Sequence, residues 1–229
     1  TTPPPPPPPP APPPPNQPPT FNPGPDESAR EDSGAFTKDW ASQISAPEAG
    51  QTVTFIVTND NSALFAVDPA VATDGKLTFT PAPDANGTAT VTVTAHDDGG
   101  TANGGNDTSA PVSFTLTIDP VNDPPSFTKG ADQSVLSLAG AQTVPNWATA
   151  ISPGPADESA QNVTFAVTNN NNGLFSAQPA IAPNGTLTYT PAVLALGSAT
   201  VTVRAVDDGG SSNGGNDTSP PQTFTITIL

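Results

Sequence analysis

The sequence predicts an all-β protein, with two tandem seven-stranded Greek-key sandwiches behind a polyproline II segment. Residues 1–15 are almost wholly proline. The rest of the chain repeats itself, with long stretches matching at a fixed offset of 110 residues. Within each repeat, apolar residues alternate with threonine at period two, the pattern of a half-buried antiparallel strand.

The first segment contains Pro3–Pro10, Ala11 and Pro12–Pro15. Proline fixes φ and has no amide to donate, so this run is expected to form an extended rod at roughly 3.1 Å per residue, about 40 Å in all. It reads as a spacer over residues 1–15, and docking to a proline-binding module is the alternative. The first sandwich is assigned to 16–119 and the second to 120–229. In the repeat, Val53, Phe55 and Val57 return as Val163, Phe165 and Val167, and Gly75-Lys-Leu-Thr-Phe-Thr-Pro81 returns as Gly185-Thr-Leu-Thr-Tyr-Thr-Pro191. Asp97-Asp-Gly-Gly100 returns as Asp207-Asp-Gly-Gly210. Further alternating runs fall at Ala89/Val91/Val93/Ala95 and Phe114/Leu116/Ile118, with counterparts at Val201/Val203/Ala205 and Phe224/Ile226/Ile228. Clusters of Gly, Pro, Asn and Asp separate them, as turns require. Trp40 and Trp147 occupy equivalent places and are expected in the two cores.

Composition narrows the function. Five Lys and Arg stand against 21 Asp and Glu, a formal net charge of −16. Such a chain lacks the basic patch that nucleic acid or an anionic membrane surface would need. Cysteine is absent, which excludes disulfides and thiolate metal sites. No apolar run is long enough to span a bilayer. No secretion signal is legible, so a secreted form would begin after one. The single histidine, His96, is replaced by Val206 in the second repeat and reads as a loop residue. No nucleophile–base set, phosphate loop or histidine pair is present, and the chain is expected not to be an enzyme.

Three phrases carry a resemblance: the linker Asp119-Pro-Val-Asn-Asp-Pro-Pro125, the run Leu77-Thr-Phe-Thr-Pro-Ala-Pro-Asp-Ala-Asn-Gly-Thr-Ala89, and the Ala-x-Asp-Asp-Gly-Gly turns. In these the chain resembles the cadherin-like and immunoglobulin-like repeats of bacterial extracellular surface proteins. The resemblance covers everything after the prolines. It implies stacked sandwich domains used as stalks, adhesive arms or filament subunits at the cell surface, commonly with calcium between them.

The topology implied by the resemblance sorts the acids. With strands lettered A to G, one end of the first domain gathers Glu31 and Asp32 from the A–B loop and Asp84 from the E–F loop. The linker adds Asp119, Asn122 and Asp123. The facing end of the second domain offers Asp157 and Glu158 from its B–C loop and Asp207 and Asp208 from its F–G loop. Calcium takes six to eight oxygens of these kinds, so the set is a candidate calcium site. The linker departs from the cadherin pattern, reading Asp-Pro-Val-Asn-Asp where cadherins have Asp-x-Asn-Asp-Asn. Aspartate and asparagine also serve turns and solubility, and that reading stays open. The repeat argues against it. Glu31, Asp32 and Asp84 become Ser137, Leu138 and Leu194 at the end of the second domain, where no further linker is expected. At the N-terminal end, Asn16-Gln17, Glu48 and Asp97-Asp98 form a thinner version of the same set, compatible with a single weak ion.

The far end of the second domain is instead apolar, with Leu136, Leu138, Val193, Leu194 and Leu196. Leu136 and Leu138 alternate with Ser137 along an expected strand, so part of this set is expected in the core. The remainder suggests contact with other copies of the chain or with neighbouring surface domains. Five Asn-x-Ser/Thr sequons, at Asn86, Asn106, Asn162, Asn184 and Asn216, are read as chance in a Thr- and Asn-rich chain. The expected function is an extracellular structural or adhesive stalk or filament subunit, stiffened by calcium at the junction. The alternative is a carbohydrate-binding module with glycans as partners, which would need an exposed aromatic row on one sheet.

Overall fold

A computed structural model describes residues 4, 8–10 and 12–229. The polyproline spacer therefore lies partly outside the described residues, and its described prolines up to Pro15 are exposed and belong to no regular element. The chain divides into two compact units, 1–120 and 121–229.

Unit 1 contains β1 (Thr20–Asn22), β2 (Glu27–Arg30), β3 (Phe36–Asp39), β4 (Ser42–Ser45), β5 (Val53–Asn59), β6 (Phe65–Val71), β7 (Lys76–Pro81), β8 (Gly87–Asp97) and β9 (Val112–Asp119). One sheet runs β2-β9-β8-β5, a second runs β3-β7-β6, and β1 pairs with β4. These nine segments are the seven strands A to G with A and B each broken in two. β1 lies antiparallel to β4, whereas β2 has crossed to the other sheet and lies parallel to β9, with Glu27 opposite Leu116. Strand B breaks at Trp40-Ala41, whose amides both donate to the Gly75 carbonyl, at 3.0 and 2.9 Å. Two residues facing one is a β-bulge. Gly75 has φ of +88°, and a Cβ there would sit 2.2 Å from the Ala41 carbonyl oxygen, so the close approach requires glycine.

Unit 2 repeats the plan with β10 (Ser126–Thr128), β11 (Gln133–Val135), β12 (Gln142–Val144), β13 (Thr149–Ser152), β14 (Thr164–Asn169), β15 (Phe175–Ile181), β16 (Leu187–Pro191), β17 (Gly197–Val206) and β18 (Gln222–Ile228). Its sheets are β11-β18-β17-β14 and β12-β16-β15, with β10 against β13 and β11 parallel to β18.

The period-two pattern does what it predicts. Along β8, Ala89, Val91, Val93 and Ala95 are buried while the intervening threonines face outward, and β17 repeats this with Ala199, Val201, Val203 and Ala205. Each core closes around its tryptophan. Trp40 packs on Phe114 with centroids 4.4 Å apart, and Trp147 packs on Phe224 at 4.3 Å. Their indole N–H groups donate to the carbonyls of Pro25 and Ala131, both at 2.9 Å, so neither ring buries an unpaired polar atom.

The expected strand through Leu136 and Leu138 does not form. β11 stops at Val135, and the chain turns through a hydrogen bond from the Ala139 amide to the Leu136 carbonyl. Both leucines are thereby turned out of the core, at 67% and 72% exposure. The apolar–polar alternation is there, and the ladder reaches Ser137, whose amide donates to the Leu229 carbonyl at 2.9 Å, but the turn that follows leaves both leucines without a buried face.

Candidate functional site

Each unit carries an acidic end built by its loops. In unit 1 the A–B loop begins where β2 leaves β9, and the Glu31 amide donates to the Asp119 carbonyl at 3.1 Å. This brings the loop, the end of β9 and the E–F turn to one end of the sandwich. Glu31 is only 2% exposed, and its Oε2 accepts from Asn86 Nδ2 at 3.2 Å. Asp32 and Asp84 are exposed and bring one carboxylate oxygen each within 4.8 Å of the other. Both take the left-handed backbone conformation, with φ of 59° and 55°. Aspartate tolerates this better than most residues, and here it aims two anions into one space. The cost of that repulsion is lowered by a cation between them.

In unit 2 the linker residues enter a denser arrangement. Asn122 Nδ2 donates to Asp207 Oδ1 at 3.1 Å and to the Asn216 carbonyl at 3.0 Å, while its Oδ1 accepts from Gln161 Nε2 at 2.8 Å. The Asp123 amide donates to Glu158 Oε1 at 2.8 Å. Gly209 donates its amide to Asp207 Oδ1 at 2.9 Å, and its lack of a Cβ leaves room for Asn122 Oδ1, 1.7 Å from where that carbon would be. Three buried oxygens of this group have no hydrogen-bond partner among the described residues: Glu158 Oε2, Asp207 Oδ2 and Gln161 Oε1. Burial pushes the Glu158 carboxyl above its ordinary value, and the charges of Asp123, Asp157 and Asp207 add to the shift, against the Asp123 amide that lowers it. Unpaired buried oxygens on acids and amides are costly as they stand, and a hard cation satisfies them. On that observation the residues fit calcium.

The other expected residues are placed as follows. Asp157 is exposed on the short 3-10 turn Ala156–Glu158. Asp208 is exposed and gives both oxygens to Asn162, to its amide and to Nδ2, each at 2.8 Å. That contact holds the Asp208 carboxyl below its usual range and makes it a turn anchor. Gln161 was not singled out from the sequence, although its identity with Gln51 in the repeat was the available signal. His96 reaches Asp107 Oδ2 at 3.5 Å, in keeping with a loop residue. Of the sequons, Asn86 and Asn162 spend their side-chain amides on Glu31 and Asp208.

Comparison with known proteins supports the fold. The chain is similar to human protocadherin-24 EC1-2, at 16% identity and a TM-score of 0.55, covering 92% of this chain and 97% of that one. It is a cadherin-like β-sandwich protein in fold. Fainter likenesses are to mouse protocadherin-24 EC1-3, at 14% identity and a TM-score of 0.47 over 92% of this chain and 70% of that one, and to BT4661, a SusE-like surface-located polysaccharide-binding protein of Bacteroides thetaiotaomicron, at 16% and 0.32 over 91% and 33%. Residues 27–123 match a family model described as a lipoprotein associated domain. No curated protein matches the chain in sequence.

Proposed function

We propose that this chain is an extracellular structural or adhesive stalk whose two units are stiffened by calcium held between their acidic ends. The observation that carries the reading is the set of buried, unpaired oxygens on Glu158, Asp207 and Gln161, beside a linker already bonded to them through Asn122 and Asp123. Within unit 1, Glu31, Asp32, Asp84 and Asp119 are gathered at one end of the sandwich and are oxygen donors of the kind calcium takes. The match of 27–123 to a lipoprotein associated domain supports a place at the cell surface.

The apolar end of unit 2 supports assembly with further copies of the chain. Leu136, Leu138, Val193, Leu194 and Leu196 are all at least two-thirds exposed. Two of them, Leu138 and Leu194, stand where unit 1 has Asp32 and Asp84. In a chain of net charge −16, copies meet most readily where there is no charge to repel. A contact between this end and a different surface of the next copy is heterologous and propagates as a filament. The glycan-binding alternative would be favoured by an exposed aromatic row, and none of the exposed large apolar side chains among the described residues is aromatic.

The test is calcium titration of the whole chain. Calcium at about a hundred times its dissociation constant stabilises the folded state by about 2.7 kcal/mol. Chelation should therefore lower the melting temperature, and X-ray scattering should show a narrower distribution of particle length with calcium than without. Identical melting and scattering in chelator and in millimolar calcium would refute the proposal.

A further inference from the structure

The geometry points to the free edge of β5 in unit 1 as an interaction surface for a second copy of the chain, β5 lying antiparallel against β5 about a two-fold axis at Ile56. This contact goes beyond those proposed above and shares no residue with them.

β5 is the last strand of the sheet β2-β9-β8-β5. Its pairing with β8 runs without a bulge from Val53 opposite Asp97 to Asn59 opposite Val91. In an antiparallel pair, the N–H and C=O of one residue point the same way, and the direction alternates along the strand. Just past Asn59, the Asp60 amide donates to the Thr90 carbonyl at 3.2 Å. Thr54, Ile56 and Thr58 therefore spend their backbone groups on β8, as Asp60 does. Those of Val53, Phe55, Val57 and Asn59 point the other way, where no strand lies beside β5 among the described residues. Burial agrees. Phe55 and Val57 face the core but stay only half-buried, whereas Val91 and Val93 on β8 are fully covered.

An open strand edge is a template for pairing, and proteins that avoid pairing blunt it with charge, proline or a bulge. The other edges of unit 1 are blunted in this way. β2 carries Glu27 and Arg30, β3 carries Lys38 and Asp39, and β6 carries Asp68-Pro69 and two shifts of register. β5, reading Val-Thr-Phe-Ile-Val-Thr-Asn, has none of these devices. Its outer face instead shows Ile56, 54% exposed, between Thr54 and Thr58. The other exposed large apolar side chain among the described residues of unit 1 is Val67, at 59%. It lies on β6, which is tied to β5 where Asn59 Nδ2 donates to Asp68 Oδ1 at 3.0 Å. Unit 2 has Ala166 and Ala177 at these two places, so the apolar flank belongs to unit 1 alone.

The occupant is a second copy because the strand complements itself. Turned about Ile56, Val53 faces Asn59 of the second copy, Thr54 faces Thr58, Phe55 faces Val57, and Ile56 faces its own counterpart. Every outward N–H then meets an outward C=O. The Ile56 pair falls at a non-hydrogen-bonded position, where the facing Cα atoms are only about 4.5 Å apart and side chains pack closest. Charge favours the same occupant. Copies of net charge −16 repel over most of their surface, and this strand carries no charge to add to that. The contact uses the same patch on both copies, so it closes on a pair and does not propagate.

The experiment is sedimentation equilibrium and amide hydrogen exchange on the full chain carrying Leu194→Asp and Leu196→Asp, so that the apolar end of unit 2 does not contribute. A monomer–dimer equilibrium should appear and strengthen with salt, as repulsion between the acidic copies is screened. The amides of Val53, Phe55, Val57 and Asn59 should exchange freely in dilute protein and gain protection in the dimer. Those of Thr54, Ile56 and Thr58 should be protected in both. Adding Ile56→Lys sets two like charges face to face and should weaken the dimer by about tenfold or more, while Ala166→Lys should leave it unchanged. In this cysteine-free chain, Ile56→Cys should form a disulfide-linked dimer with oxidised glutathione, because the Cα spacing suits the bridge. Thr54→Cys should not, because it faces Thr58. A chain that stays monomeric at about 1 mM would overturn the assignment. So would a dimer that tolerates Ile56→Lys, or one that leaves the exchange of the Phe55 and Val57 amides unchanged.

Discussion

Replacing Tyr189 by phenylalanine should make unit 2 more stable. Tyr189 lies on β16, is 2% exposed, and packs its ring against Phe175 with centroids 6.1 Å apart at 84°. Its hydroxyl is buried and has no hydrogen-bond partner among the described residues. Unit 1 has Phe79 at the equivalent place, 1% exposed and 5.7 Å from Phe65 at 77°. The surroundings thus accept phenylalanine without rearrangement. An unsatisfied buried hydroxyl costs about 1–3 kcal/mol, and removing it leaves a void smaller than a methyl group that takes back part of the gain. A net gain of about 1 kcal/mol follows, which for a unit of this size raises the melting temperature by about 4–6 °C. Differential scanning calorimetry of the whole chain reads it, and Phe79→Tyr should lower the unit 1 transition by a similar amount. A second readout is independent of stability. Tyr189 is the only tyrosine in the chain, and burial pushes its phenol above the ordinary value. Phenolate absorbance should therefore appear only as unit 2 unfolds in base. A variant that melts at or below the wild-type temperature, or a phenol that ionises normally in the folded protein, would refute the reasoning by showing the hydroxyl to be hydrated or bonded.

Two further predictions use the repeat as its own control. Asp60 accepts the Thr90 amide at 2.7 Å, and this hydrogen bond, joined by the Thr90 side chain, holds its carboxyl below the ordinary value of 3.8. A depressed carboxylate contributes stability above its unfolded pKa and loses it as pH falls through the folded value, so the contribution fades in acid. In unit 2, Asn170 accepts the Thr200 amide in the same way at 2.8 Å and cannot titrate. Asp60→Asn should shift the acid-unfolding midpoint of unit 1 to lower pH without moving that of unit 2, followed by circular dichroism; an unchanged acid limb would contradict the assignment. Replacing Leu194 and Leu196 together by aspartate should abolish concentration-dependent assembly beyond a dimer in sedimentation velocity. Both side chains are about 70% or more exposed, so the fold and its melting should survive, and a variant that assembles as before would exclude this end as the contact.

Much of the fold was legible because β-strands write their burial locally. The period-two alternation in Ala89/Val91/Val93/Ala95 marks one face of β8 without reference to any distant residue, and the offset of 110 residues shows that the plan is used twice. The same reasoning failed at Leu136 and Leu138, where alternation exists but the chain turns directly after β11, because burial of a face needs an opposing layer and that is not a local property. The break in strand A is of the same kind. Nothing between Thr20 and Arg30 says that β1 pairs antiparallel with β4 while β2 runs parallel to β9.

The acids themselves were visible in the sequence, and their expected sorting to ends came from the topology that the resemblance implies. Which of their oxygens remain unpaired was not visible. Asp207 and Asp208 are adjacent and chemically alike, yet Asp208 is consumed by Asn162 at the surface while Asp207 is buried with one oxygen free. Alternate residues of a strand end face opposite sides, and only closure of the sandwich tells which side is inside. Gln51 and Gln161 acquire their place in the same way. Each is a polar residue at the start of a strand until Asn16 or Asn122, from a distant part of the chain, takes its amide protons and strands its carbonyl oxygen. Period and repeat determined that there would be two sandwiches, and composition that they would be acidic. Long-range hydrogen bonding, which no local pattern encodes, decided which atoms at those ends are left to bind something else.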